Sequence, residues 1–179
     1  MITILADESS SQIGRQLYHI LNVAEEQVAY IALEHVDIKP CISCRGCLTQ
    51  TYSKCVVRDD GDVIYPQILQ SDVLVLVSPL TFGGYSFSMK RVIDKFGLLM
   101  DEHYDVVDKE LTKKGKRGRQ FKLFCIAYSA QHDQEEANTF RTLVRETLWI
   151  TKGSGKAYVT GVAVDGETLQ SIAEEVRKA

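Results

Sequence analysis

Two kinds of apolar pattern alternate along the chain. Short continuous apolar runs, typical of buried strands, are followed by stretches in which apolar residues recur every three or four positions, as on one face of a helix. The run DVLVLV is the clearest strand and is typical of one covered on both faces. The predicted strands are Ile2–Ala6, Gln27–Leu33, Asp72–Val77, Phe121–Tyr128 and Ala157–Val162. The predicted helices are Ser9–Asn22, Asp62–Gln70, Ser86–Met100, Glu135–Ile150 and Thr168–Lys178.

This alternation of strand and helix predicts an α/β fold: a doubly wound, five-stranded parallel sheet with helices on both faces. The 179 residues are expected to form one domain, residues 1–179, with a cysteine-containing insertion at about residues 35–62. Ligands of such sheets bind at the carboxyl ends of the strands. The loops Asp7–Gln12, Ser78–Tyr85 and Tyr128–Asp133 are therefore expected to form the site.

Composition narrows the function only by exclusion. Hydrophobic residues make up 45% and charged residues 25% of the chain, and the net charge is -3, so a general nucleic-acid footprint is not expected. No apolar stretch approaches a membrane span, and MITILADESS lacks the features of a signal peptide, so a cytoplasmic protein is expected. The cationic run Lys113–Arg119 is expected to be a solvated loop; a basic patch for an acidic partner is the alternative.

Four of the five cysteines lie in PCISCRGCLTQTYSKC, at Cys41, Cys44, Cys47 and Cys55. Their C-x2-C-x2-C-x7-C spacing allows three interpretations. Four thiolates can hold an iron–sulfur cluster. Four cysteines also satisfy zinc, although zinc sites more often use two separated pairs. In the third interpretation the loop holds no metal and packs beside a ligand or at a dimer interface, where buried cysteines behave as small hydrophobes. Cys125 lies within a predicted strand and is expected in the core.

The loop SPLTFGG, Ser78–Gly84, follows the most apolar strand and precedes a helix. Pro79 stiffens the turn, Phe82 offers an aromatic ring, and the glycines allow close approach of the backbone to a flat ligand. Glycines at such a junction also serve turn geometry alone.

From Pro40 to Lys95 the chain resembles the flavodoxin-like family of NADPH-dependent FMN reductases and iron–sulfur flavoproteins. The resemblance rests on the Pro40–Cys41 pair and the later cysteines, on RDD at Arg58–Asp60, on S-P-x-x-F-G at Ser78–Gly83, and on V-I-D-K at Val92–Lys95. It implies a flavodoxin-like strand order of 2-1-3-4-5. It also implies an enzyme that takes electrons from NAD(P)H and passes them to a flavin, a quinone or another small acceptor.

The resemblance further implies bound FMN and assembly as a homodimer or homotetramer. Contacts to the flavin ring and ribityl chain would come from the loop after the third strand, and the loop after the fourth would flank the ring. An iron–sulfur cluster on the four cysteines would make the protein an electron-transfer flavoprotein instead of an enzyme. The implied FMN-binding residues are Ser9, Ser10, Ser11, Gln12, Ile13, Pro79, Leu80, Thr81, Phe82, Gly83, Tyr128, Ser129, Ala130 and Gln131.

One loop departs from the family pattern. Family members usually follow the first strand with a loop rich in Gly, Ser, Thr and Asn that holds the FMN phosphate, whereas this chain has ADESSSQIG. Asp7 and Glu8 would repel a dianionic phosphate. Ser9 to Gln12 still offer donors at a helix start, and Arg15 is one turn away. Weak or lost FMN binding is therefore the alternative, with Asp7 to Ser11 capping the first helix.

Overall fold

The computed structural model describes residues 1–8, 11–22, 27–52, 54–115, 118–120, 122–131 and 133–179. Its main sheet has five parallel strands in the order β2-β1-β3-β6-β7. Counted by these five strands alone, the order is 2-1-3-4-5, so the predicted flavodoxin-like fold class is confirmed. The strands are β1 (Ile2–Ala6), β2 (Val28–Ala32), β3 (Val73–Pro79), β6 (Lys122–Ser129) and β7 (Ser154–Gly161).

Helices cover both faces of the sheet. One face packs against α1 (Ile13–Asn22) and α6 (Gly166–Lys178); the other packs against α3 (Gly61–Gln70), α4 (Phe87–Ile93) and α5 (Gln134–Ile150). The alternation along β3 shows why both faces are apolar: Val73, Val75 and Val77 face the first pair of helices, whereas Leu74 and Leu76 face the second group. Two apolar layers result, one on each side of the sheet.

Three predicted boundaries need correction. The first helix begins at Ile13, because Ser11 lies before it and accepts the Ile13 amide hydrogen with its side chain. The helix after β3 ends at Ile93, and a separate 3-10 turn covers Phe96–Leu98. The last strand of the sheet begins at Ser154, earlier than predicted, and not at Ala157.

Two short elements were not predicted. Within the cysteine segment lies a single helical turn, α2 (Gly46–Thr49). Between α4 and β6 lies an antiparallel hairpin made of β4 (Asp105–Val107) and β5 (Glu110–Thr112). Both are too short to show a repeated hydrophobic pattern, so the periodicity of apolar residues could not have found them. Among the described helices, none is both long and apolar enough to cross a membrane.

Candidate functional site

The loops after β1 and β3 are joined at the carboxyl edge of the sheet, on either side of the point where the strand order reverses. The Ser86 hydroxyl, which caps α4, donates to the Asp7 carboxylate at 2.5 Å, and the Ser86 amide donates to the Ser78 hydroxyl at 2.9 Å. Tyr128, at the end of β6, donates its hydroxyl to the Asp7 carbonyl at 2.7 Å. Asp7 therefore fixes the three predicted loops relative to one another.

The start of α1 is occupied by the side chain of Glu8. Its Oε1 accepts the Gly14 amide hydrogen at 2.5 Å and the Arg15 amide hydrogen at 3.2 Å. The Ile13 amide donates to the Ser11 hydroxyl at 3.2 Å. The first three amides of a helix have no partner within the helix and usually receive an external acceptor. Here all three are satisfied by the chain's own side chains.

Glu8 is also enclosed from the side of β2. The Tyr30 hydroxyl donates to Glu8 Oε2 at 2.5 Å, and Arg15 Nε lies 3.6 Å from the same oxygen. The Glu8 side chain is only 5% exposed. Burial, together with the hydrogen bond to Glu8, raises the pKa of Tyr30 to about 12, so the phenol keeps its proton at neutral pH and remains a donor. Arg15 also pairs with Glu34, because Arg15 Nη2 lies 3.3 Å from Glu34 Oε1. Its guanidinium is thus shared between two carboxylates.

The loop after β3 presents an aromatic ring to solvent. Phe82 is 93% exposed and has a φ of 49°, a left-handed conformation that costs a non-glycine residue energy. Gly83, with a φ of 72°, lies so close to α5 that a Cβ atom there would be 2.8 Å from the Thr139 side chain. The Leu80 amide donates to the Tyr128 carbonyl at 2.8 Å, which joins this loop to the end of β6.

The other sequence-predicted site residues divide by exposure. Thr81, Ala130, Gln131 and Gln12 are exposed, and Pro79, Leu80, Ser129 and Ser11 are partly buried. Ile13 and Tyr128 are buried in the core beneath the α1 face, so their side chains support the loops and do not line the edge. Ser9 and Ser10, together with His132 in the third loop, lie outside the described residues.

The cysteine segment is anchored by the RDD sequence that follows it. The Asp59 carboxylate pairs with Lys95 at the end of α4 and accepts amide hydrogens from Lys39 at 2.9 Å and Gly61 at 2.9 Å. Burial alone would raise the pKa of Asp59, but the hydrogen bonds, above all that from Lys95, hold its pKa below the usual value. The residues just before Cys41 are thus fixed to α3 and α4.

The four clustered thiols differ in exposure. Cys41 and Cys44 are exposed in the single chain, whereas Cys47 and Cys55 are partly buried. Packing of this segment beside a ligand or at a dimer interface stays a prediction. Left-handed Ser43 and Arg45, with φ of 54° and 60°, turn the backbone sharply on both sides of Cys44. Cys125, by contrast, is fully buried in β6, as predicted.

Cys47 lies near the other three thiols of the segment. Burial, and then the neighbouring thiols of Cys55, Cys41 and Cys44, raise the pKa of Cys47. Among the described residues no group of three or more His, Cys, Asp or Glu side chains is arranged to hold a single metal ion. Four thiols are the donor type of both an iron–sulfur cluster and a zinc site, so both interpretations stay predictions.

Lys113 departs from the expectation of a solvated basic loop. It is only 7% exposed, donates to the Asp101 carbonyl at 2.9 Å and lies 4.4 Å from the centre of the Tyr104 ring. Burial lowers the pKa of Lys113. Because this cation also interacts electrostatically with Cys47, a positive charge lies near the cysteine segment that the sequence pattern did not indicate.

The chain belongs to the NADPH-dependent FMN reductase family, whose model matches residues 3–152. It therefore falls in a family of oxidoreductases. Over 75 residues it is 35% identical to an iron-sulfur flavoprotein of Methanocaldococcus jannaschii, a match that covers 41% of this chain and 38% of that protein. The chain spans less than half the length of the curated relatives it matches.

Solved structures share the fold at low sequence identity. An NAD(P)H:quinone oxidoreductase from Methanothermobacter marburgensis superposes with a TM-score of 0.60 and 14% identity, over 99% of this chain and 95% of that one. An FMN-dependent NADH-azoreductase from Bacillus anthracis, solved in complex with FMN, superposes with a TM-score of 0.55 and 14% identity, over 99% and 95% of the two chains. These structural similarities support the fold. The reaction has to be argued from the residues of the site.

The candidate site fits the two parts of FMN unequally. Phe82 presents an exposed aromatic ring on which a flat ring can stack, whereas Gly83 is buried against Thr139 of α5. The start of α1, where an anion would find free amides, is already filled by Glu8. The described residues therefore offer an aromatic contact to a flavin ring, whereas the amides that could hold its phosphate already have an acceptor.

Proposed function

We propose that the chain binds a flavin at the carboxyl ends of β1, β3 and β6 and takes electrons from NAD(P)H for a small acceptor such as a flavin or a quinone. The observation that carries the proposal is Phe82, an aromatic residue held in a left-handed conformation and 93% exposed at the switch point of the sheet. Left-handed non-glycine residues cluster at ligand sites, and this one carries its ring into solvent at the edge where ligands of such sheets bind. Membership of the NADPH-dependent FMN reductase family supports both the flavin and the nicotinamide donor.

In this proposal the flavin supplies the redox chemistry, and the protein binds and orients the ring. Leu80 to Gly83 contact the ring, and the backbone of Ser129 to Gln131 flanks it. The bonds from Ser86 and Tyr128 to Asp7 hold the loops at a fixed separation. No described side chain at this edge is assigned the role of an acid or base.

The test is binding and turnover by the purified chain. Calorimetric titration with flavins should show binding, and NADPH or NADH should be oxidised when a quinone or free flavin is added under anaerobic conditions. Phe82→Ala should raise the dissociation constant of the flavin by several-fold to about tenfold, which corresponds to the free energy of one aromatic contact. Phe87→Ala is the matched control, because Phe87 is an exposed aromatic that stacks under Arg91, 4.1 Å away, outside the loop. Absence of flavin binding and of nicotinamide oxidation would refute the proposal.

A second candidate is an electron-transfer flavoprotein with an iron–sulfur cluster on Cys41, Cys44, Cys47 and Cys55. The proximity of Cys47 to the other three thiols favours it, as does the similarity to iron-sulfur flavoproteins. Anaerobic reconstitution with iron and sulfide should then give both elements in cluster proportion. Serine at any of the four positions should lower the iron content, whereas Cys125→Ser should not. If all four serine variants keep as much iron as the wild-type chain, this candidate is refuted.

A further inference from the structure

The Glu8 carboxylate has the contacts that a bound anion would make at the start of α1. Two consecutive amides, those of Gly14 and Arg15, donate to one of its oxygens, and the Tyr30 hydroxyl donates to the other. A phosphate oxygen at a helix N-terminus is held by the same kinds of donor. Glu8 thus acts as an internal anion, supplied by the loop that precedes the helix.

The space around Glu8 leaves little room for a second anion. A Cβ atom at Gly14 would lie 2.8 Å from the Ala6 Cβ and 3.1 Å from Glu8 Oε1, so the helix start, the end of β1 and the carboxylate are in close contact. The positive end of the helix dipole is already compensated by one negative charge. Arg15, the nearby cation, is shared between Glu8 and Glu34. A dianionic phosphate would meet a buried like charge there.

We propose that Glu8 is a specificity-determining residue that takes the place of a ligand phosphate, so that the site selects a flavin by its ring and its uncharged ribityl chain. The ligand class is a flavin without a 5′-phosphate, such as riboflavin, which binds at least as tightly as FMN. That the ligand is a flavin rests on the proposed function. That Glu8 excludes phosphate rests on the geometry of α1 alone.

The first experiment compares the dissociation constants of FMN and riboflavin by calorimetry. In the wild-type chain the ratio of the FMN constant to the riboflavin constant is expected to be one or more. Glu8→Gln removes the charge but keeps an acceptor for the Gly14 amide, so it should shift this ratio toward FMN by about tenfold or more. Glu34→Gln is the matched comparison: it removes a charge from the other side of Arg15 but leaves the Glu8 carboxylate on the Gly14 and Arg15 amides, so it should shift the ratio far less than Glu8→Gln. Thermal unfolding checks that each variant is folded.

The second experiment needs no flavin. Inorganic phosphate is titrated into isotope-labelled protein while the amide signals of Gly14 and Arg15 are followed by NMR. The signals should stay in place in the wild-type chain and shift on titration in Glu8→Ala, where both amides lose their acceptor. If neither flavin binds any variant, the proposed function fails, and this titration still decides the role of Glu8.

Several outcomes would overturn the inference. One is a wild-type chain that binds FMN more tightly than riboflavin. Another is a flavin ratio that Glu8→Gln does not change. A third is phosphate that shifts the Gly14 and Arg15 signals already in the wild type, or that shifts them in neither protein.

Discussion

Asp59 and Lys95 form an ion pair that is closed to solvent, since each side chain is only 1% exposed. The pair joins the segment that follows the cysteines to the end of α4, and the carboxylate also accepts two amide hydrogens. Removal of one member of a buried pair leaves an uncompensated charge, which costs far more than loss of a surface pair. The pair is therefore expected to stabilise the cysteine segment in its place.

Lys95→Met should lower the free energy of unfolding by about 3 kcal/mol, measured by urea denaturation, because Asp59 is left buried with only its amide donors. Lys90→Met is the matched control. Lys90 pairs with Asp94 on the exposed surface of α4, so its loss should cost no more than about 0.5 kcal/mol. Equal effects of the two substitutions would mean that the Asp59 pair contributes no more than a surface bridge.

The pH dependence of stability should carry the signature of Asp59. Its pKa is lowered in the folded chain, so its stabilisation is complete above the unfolded value of about 3.9 and is lost as the pH falls through the lower, folded value. The wild-type free energy of unfolding should therefore fall more steeply below about pH 4 than that of Asp59→Asn. Parallel curves for the two proteins would contradict the assignment.

Phe82→Gly should have opposite effects on stability and on binding. Glycine adopts the left-handed conformation without the steric cost that phenylalanine bears, so the free energy of unfolding should rise by up to about 1 kcal/mol. Flavin affinity should fall, because the exposed ring is lost. Calorimetry and denaturation of the same preparation test both effects. A variant that is less stable and binds flavin unchanged would remove Phe82 from the site.

The sequence predicted the sheet well because burial on both faces leaves a strong signal. Each of the five predicted strands overlaps an observed one, and DVLVLV matches the core of β3. The site was predicted less completely. Glu8 was recognised as a charge in the wrong place for a phosphate, but its bond to Tyr30 depends on the pairing of β1 with β2, which local pattern does not specify.

Buried charges were missed for a similar reason. Lys113 lies in a run of cations whose composition predicts solvation, yet tertiary contacts with Asp101 and Tyr104 enclose it. Lys95 lies where a continuous helix to Met100 was predicted, and the observed helix ends two residues before it. In both cases a long-range partner decides the conformation, and hydrophobic periodicity contains no information about that partner.

Tyr30 should titrate unusually late. Its pKa is raised to about 12 in the folded chain from an ordinary value of about 10, so the stability it contributes is complete below about pH 10 and is lost as the pH rises through 12. The ultraviolet absorbance of phenolate, compared between the wild type and Tyr30→Phe, should show one tyrosine fewer in the late transition. At neutral pH the variant should lose about 1 kcal/mol of stability with its hydrogen bond to Glu8. If Tyr30 instead loses its proton near its ordinary pKa of about 10, the hydrogen bond to Glu8 does not keep the phenol protonated.

The cysteines should react with an alkylating reagent in an order set by exposure and pKa. Cys41 and Cys44 are exposed and should be modified first, whereas Cys47 should lag because burial and its neighbours raise its pKa and so reduce its thiolate fraction. Cys125, buried and with a pKa raised to about 12, should react only on unfolding. Peptide mass spectrometry against time measures all of these rates. After anaerobic loading with iron and sulfide, a cluster should protect Cys41, Cys44, Cys47 and Cys55 together and leave Cys125 unchanged. Protection of Cys47 and Cys55 without the exposed pair would show that packing, and not ligation, shields them.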